Sequence, residues 1–89
     1  MKQSEVLLKE IGENLRAWRE RSGLKTKYQG AKVLGVSWET MTRIEDTCKN
    51  VPTDLLVRSI LNEYIIKDSE QEWLLNTIEE VKQLRKEEK

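Results

Sequence analysis

Four residues within six positions, Trp38, Glu39, Thr42 and Arg43, carry groups of the kind that recognise base edges in a DNA groove. An arginine donates two hydrogen bonds to O6 and N7 of guanine, a glutamate accepts from N4 of cytosine, a threonine does either, and a tryptophan meets a thymine methyl or packs on sugar. Each residue also has a plainer use. Glu39 could be a solvated carboxylate that repels wrong sequences, Arg43 could touch only phosphate, and Trp38 could lie back on the preceding helix as peripheral core. For Trp38 both uses stay open; for Arg43 contact with DNA is the expectation.

These side chains need a helix to present them together. At about 100° per residue, Met41 and Ile44 point one way while Trp38, Glu39, Thr42, Arg43 and Asp46 share the opposite arc. Ser37 is a natural N-cap, and Thr40 stands where Glu or Gln would complete a capping box, so the motif is half present. A shorter helix should precede it from Lys27 to Leu34, capped by Thr26, with Ala31, Val33 and Leu34 as apolar contacts and Gly35 and Val36 as the turn. Gly30 weakens that helix by about 1 kcal/mol relative to alanine, which implies a close neighbour.

The remaining pattern is helical throughout. Leu8, Ile11, Leu15 and Trp18 make a stripe on a first helix from Ser4 to Arg21, which Gly23 ends. After Asn50, Val51 and Pro52, Thr53 or Asp54 caps a fourth helix to about Ile65, with Leu56, Val57, Ile60, Leu61 and Tyr64 as core. A final helix begins after Asp68 or Ser69, where Ser69 and Glu72 have capping-box spacing. Its stripe of Leu74, Leu75, Ile78, Val81 and Leu84 leads to a charged, frayed end. The expected fold is all-α: five helices and no strand, with an extended C-terminal helix.

Composition narrows the chemistry. The chain has 89 residues, 36% of them charged, with one proline and four glycines, which suits one small helical domain. There is no histidine and a single cysteine, Cys48, so the usual general base, the commonest metal ligand and an intrachain disulfide are all missing. No enzyme activity, cofactor or metal is expected, and Cys48 is read as a passive thiol. Apolar runs fall far short of the roughly 20 residues that cross a bilayer, and no targeting pattern opens the chain, so the cytoplasm is the expected location.

Sixteen cations balance sixteen carboxylates, yet unevenly along the chain. Residues 14–43 hold Arg16, Arg19, Arg21, Lys25, Lys27, Lys32 and Arg43 against Glu20 and Glu39. Residues 63–80 hold six carboxylates against Lys67. A locally basic face attracts phosphate within a Debye length even on a neutral protein. The plain alternative for any one of these residues is solvated charge.

The stretch from Ile11 to Tyr64 resembles the Cro and phage-repressor type of helix-turn-helix domain, the Xre family. The resemblance is carried by IGENLRAWRERSGL, then AKVLGVSWETMTRIE, then a proline loop and an apolar fourth helix. It implies a lambda-repressor-like fold in which residues 1–67 form the DNA-binding domain and residues 68–89 complete the core, mediate dimerisation, or both. It also implies a structural ion pair between Arg19 and Glu45, DNA-facing positions at Ser37, Trp38, Glu39, Thr42 and Arg43, and no catalysis. More weakly, Val57 to Leu75 is similar to regulators of actinobacteria that continue into a larger domain, so the chain is expected to be a stand-alone regulator or a fragment. It departs from its relatives in one extra residue between Gly23 and Ala31. Gly30 stands where leucine is usual, Lys27 where glutamine is frequent, and Thr47 where glycine is frequent.

The expected function is a sequence-specific regulator, a repressor that binds double-stranded DNA as a homodimer. Helix 3 would lie in the major groove, with Trp38, Glu39, Thr42 and Arg43 reading bases. Lys25, Lys27 and Ser37, beside the free amides at the start of helix 2, would contact phosphate. Trp73, Leu74, Ile78, Val81 and Leu84 are the candidate dimer face, although covering the monomer core is an equally ordinary task for that stripe. The competing reading is a helical protein-binding module, an antitoxin or adaptor component, whose main surface is the acidic C-terminal end.

Overall fold

A computed structural model describes residues 2–88. The helices are α1 (Gln3–Arg21), α2 (Lys27–Leu34), α3 (Trp38–Thr42), α4 (Asp54–Glu63) and α5 (Asp68–Glu87), with a π-helical segment, Arg43–Thr47, continuing α3. Among the described residues there is no strand, and no helix is long and apolar enough to cross a membrane.

α1 is the central element. It packs against the π-helical segment and against α5, while α2 packs on α3 and α4. Its stripe of Leu8, Ile11, Leu15 and Trp18 is buried as the helical spacing requires, joined by Met41, Ile60, Leu74 and Val81 in one continuous core. The Cα radius of gyration, 12.5 Å, is close to the roughly 12 Å of a compact single domain of this length, so α5 belongs to the same body as the helices before it.

Helix ends follow local chemistry. At Gly23 (φ 83°) the chain leaves α1 through Gly23 N to Glu20 O and Leu24 N to Arg19 O, both 3.1 Å. Thr26 caps α2 more fully than a lone N-cap: its Oγ1 accepts from Gln29 N (3.1 Å) while Gln29 Oε1 accepts from Thr26 N (3.2 Å). Thr53 caps α4 by accepting from Leu56 N.

Three boundaries differ from expectation. α4 stops at Glu63, and Tyr64 turns extended, which carries its ring into the core. α5 starts at Asp68 with Lys67 as N-cap, because Glu70 Oε1 accepts from Lys67 N (2.9 Å); Ser69 and Glu72 therefore lie inside the helix rather than forming its box. The charged C-terminal end is tied down rather than frayed. Ser4, buried at the start of α1, donates from Oγ to Glu88 Oε1 (2.6 Å) and from its amide to Glu88 Oε2 (3.2 Å). Those bonds hold the Glu88 carboxyl below its usual range.

The α5 stripe answers the question of its partner. Leu74 and Val81 are 0% exposed and Ile78 is nearly so, all against the core around α1; Leu84 is half-buried. Trp73 meets Trp18 edge to face, with ring centroids 6.2 Å apart at 90°. For Leu74, Ile78 and Val81 this decides between the two expectations and corrects the dimer face: their side chains are buried within one chain, and a second copy could reach them only by unpacking α5, whereas Trp73 and Leu84 are half-buried.

Candidate nucleic-acid interface

The α2–turn–α3 unit is assembled from its apolar residues. Ala31 and Leu34 of α2 pack with Met41 and with Ile44 of the π-helical segment, and Gly35 (φ 72°) makes the left-handed corner between the helices. Val36 N returns to Ala31 O at 3.0 Å. Ser37 Oγ then accepts from Thr40 N (3.1 Å) and lies 3.0 Å from Thr40 Oγ1, so the half box works with threonine in the third place.

With Met41 fixed inward, α3 turns its other face to solvent. Trp38, Glu39 and Arg43 are exposed and Thr42 is half-buried, its hydroxyl donating to Trp38 O (3.1 Å). The four residues named for base contact thus share one accessible ledge. Trp38 is 54% exposed, and the Lys27 ammonium stands 5.5 Å from its ring centroid. The tryptophan is therefore not core, although one side of it is covered by the first residue of α2.

Behind the ledge the helix changes character. The reading at 100° per residue treats Trp38 to Asp46 as one α-helix, but Arg43–Thr47 is π-helical and closes with Cys48 N donating to Arg43 O five residues back (2.8 Å). The wider turn lets the adjacent residues Ile44 and Glu45 both face inward, Ile44 into the core and Glu45 onto Arg19. It also delays the end of the helix by one residue. The left-handed position falls on Cys48 (φ 49°) and not on Thr47, where the resemblance set a frequent glycine. A non-glycine residue there costs about 1–2 kcal/mol.

Gly12, which sequence reasoning passed over, makes this possible. A Cβ at Gly12 would lie 2.5 Å from Cys48 Sγ, 2.8 Å from Ile44 O and 2.9 Å from Glu45 O, so α1 and the π-helical backbone touch through the notch that glycine leaves. Cys48 fills the notch and donates to Ile44 O and Glu45 O. Burial, then the Asp46 carboxylate, pushes its thiol up, the opposite of an activated thiolate. The available signal was a lone glycine inside a strong helical stripe. Gly30 has the close neighbours its helix-weakening implied: Arg19 Cδ, Met41 Cε and the Tyr64 hydroxyl.

Arg19 reaches Glu45 with two bonds, Nε to Oε2 at 2.9 Å and Nη2 to Oε1 at 3.2 Å, while Nη1 donates to Leu24 O at 2.6 Å. Both side chains are almost completely buried. Burial opposes the guanidinium charge, but the bonds to Glu45 prevail and its ionisation is held above the ordinary value. The pair connects α1 to the π-helical segment that continues α3.

The basic stretch is much less free than its composition suggests. Arg16 Nη2 pairs with Asp46 Oδ1 (2.8 Å), Lys27 with Asp46 Oδ2, Arg19 with Glu45, and Arg21 with Glu70 (2.7 Å). Lys25, Lys32 and Arg43 have no ion-pair partner among the described residues. Of the named phosphate contacts, Lys25 is therefore open, Lys27 is already engaged, and Ser37 is occupied as a cap. The Thr26 and Gln29 box likewise satisfies one of the α2 amides counted as free, that of Gln29.

The acidic stretch is also partly structural. Glu70 receives Arg21 Nη2 (2.7 Å) and Nη1 (3.1 Å), the Lys67 amide, and Trp18 Nε1 (3.1 Å), and its carboxyl is held down to about 2 by Arg21 first and the Lys67 amide next. No family model, curated protein or solved structure matches the chain. Its functional reading therefore stands on the geometry of this surface and on the sequence resemblance.

Proposed function

We propose that the chain is a sequence-specific DNA-binding regulator of the Cro and phage-repressor helix-turn-helix kind, a repressor acting in the cytoplasm without catalysis. One observation carries the reading: Trp38, Glu39, Thr42 and Arg43 form an exposed ledge on a short helix fixed from behind by Met41, Ile44 and the Arg19–Glu45 pair. Rigid presentation of a few polar groups is what major-groove reading requires. Lys25 and the amides at the start of α2 face phosphate in this reading. The domain binds as two copies on half-sites about 34 Å apart, through a surface other than the α5 stripe.

Titration of the protein by fluorescence anisotropy against DNA from upstream of its own gene tests this. Binding should weaken with salt at about −0.9 in log K per log salt for each phosphate contacted, and Arg43→Ala should lose about 1–3 kcal/mol on the operator only. Equal binding of Arg43→Ala to every duplex, with no salt slope, sinks the assignment.

The second reading is a protein-binding helical module. Intramolecular pairing of most cations in the basic stretch favours it, as do the exposed apolar side chains Tyr28, Leu55 and Ile65. A stable partner lost on Leu75→Asp, without DNA binding, would support it; Ile78, being buried, is no contact residue.

A further inference from the structure

Asp46 sits at the last turn of the reading helix, and each of its oxygens is taken by a cation from a different element. Oδ1 accepts from Arg16 Nη2 of α1 at 2.8 Å, and Oδ2 pairs with Lys27 Nζ of α2. All three side chains keep contact with water, at 49%, 32% and 21% exposure for Arg16, Asp46 and Lys27. Such pairs are weak and exchange readily.

The location gives the pairing its meaning. Lys27 is the first residue of α2, where the helix dipole and uncapped amides favour an anion, and its ammonium stands beside Trp38 on the reading ledge. A DNA phosphate held at this helix end while α3 reads bases would need the same ammonium that Asp46 now holds.

We infer that Asp46 is a built-in competitor for the DNA backbone, a carboxylate occupying the position of a phosphate, and this rests on the DNA-binding reading above. In the free protein it engages both Lys27 and Arg16 and cancels one of their two charges, which lowers binding to arbitrary sequence, an almost wholly electrostatic process. On an operator, base contacts by the ledge bring a phosphate close enough to take Lys27. Arg16 keeps Asp46 neutralised, so the released carboxylate does not repel the backbone. Asp46 thus sets the ratio of specific to non-specific affinity.

The test compares wild type, Asp46→Asn and Asp46→Asn/Lys27→Gln on operator and random-sequence duplexes over a salt series, with circular dichroism confirming the fold. Asp46→Asn should bind the random duplex several-fold more tightly at low salt, its slope steeper by about 0.9 for each cation set free, and Lys27→Gln in the same chain should remove one such increment. If wild type shows a salt slope and Asp46→Asn leaves slope and random-sequence affinity unchanged, the competitor role is overturned while DNA binding stands. If wild type binds no duplex at low salt, the DNA-binding reading fails and takes this inference with it. Should Asp46→Asn not fold, Lys27→Gln alone decides: loss of operator affinity with random-sequence affinity intact supports the inference, and equal loss on both overturns it.

Discussion

Glu45 of the π-helical segment holds Arg19 of α1 through both carboxylate oxygens, at 2.9 and 3.2 Å, with neither side chain appreciably open to water. Removing one partner leaves a buried charge uncompensated, which costs about 3–5 kcal/mol. Glu45→Ala should therefore lose most of the stability of so small a domain, read as a fall in the urea midpoint. The double variant Arg19→Met/Glu45→Leu should be more stable than Glu45→Ala, because no unpaired charge remains. A loss under 1 kcal/mol for Glu45→Ala would show that the pair is not what fixes α3 and its π-helical continuation.

Gly12 and Gly30 both interrupt helices but should respond differently to alanine. At Gly12 two of the obstacles are carbonyl oxygens of the π-helical backbone, which can yield only by moving the segment. Overpacking of about 3 kcal/mol outweighs the roughly 1 kcal/mol that alanine adds to a helix, for a net loss of about 2 kcal/mol. At Gly30 the obstacles are side-chain atoms of Arg19, Met41 and Tyr64, so Gly30→Ala should cost less. Thermal unfolding of the two variants side by side gives the order, and the reverse order would refute this account of the notch.

Glu70 predicts an acid transition. Its folded carboxyl titrates near about 2 against 4.5 ordinarily, so the unfolded chain binds the proton more readily. The stabilisation is fully present above the ordinary value and is lost as pH falls from about 4.5 through about 2. Glu88, lowered in the same direction by Ser4, adds to it. Unfolding midpoints measured between pH 6 and about 2 should converge for wild type and Glu70→Gln at the acid end. A constant gap between them would mean that Arg21 and Glu70 do not couple in solution.

Much of the architecture was legible because it is local. The stripe Leu8, Ile11, Leu15, Trp18 and the caps at Thr26 and Ser37 are spacings of three or four residues and the corner at Gly35 is a single residue, and the structure uses each as read. Of Thr53 and Asp54 it takes Thr53 as the cap. The outward arc of α3 followed in the same way for Glu39 and Arg43, which lie about 160° round the helix from buried Met41; Trp38, three residues before Met41, was not placed by spacing.

Sequence alone determined that the chain is helical, where its helices run to within a few residues, and that Glu39 and Arg43 avoid the core, whereas the exposure of Trp38 was settled only by the fold. The tertiary structure decided which cations are free, which apolar stripe meets its own chain, and where α3 widens into a π-turn. Arg16 lies 30 residues from Asp46 and Arg21 lies 49 from Glu70, so no local pattern encodes those pairings. Gly12 and Cys48 are likewise ordinary residues until α1 and the π-helical segment are brought together. Spacing records the face a side chain takes, because backbone geometry is local; it does not record what stands opposite that face, because that depends on how the whole chain folds back on itself.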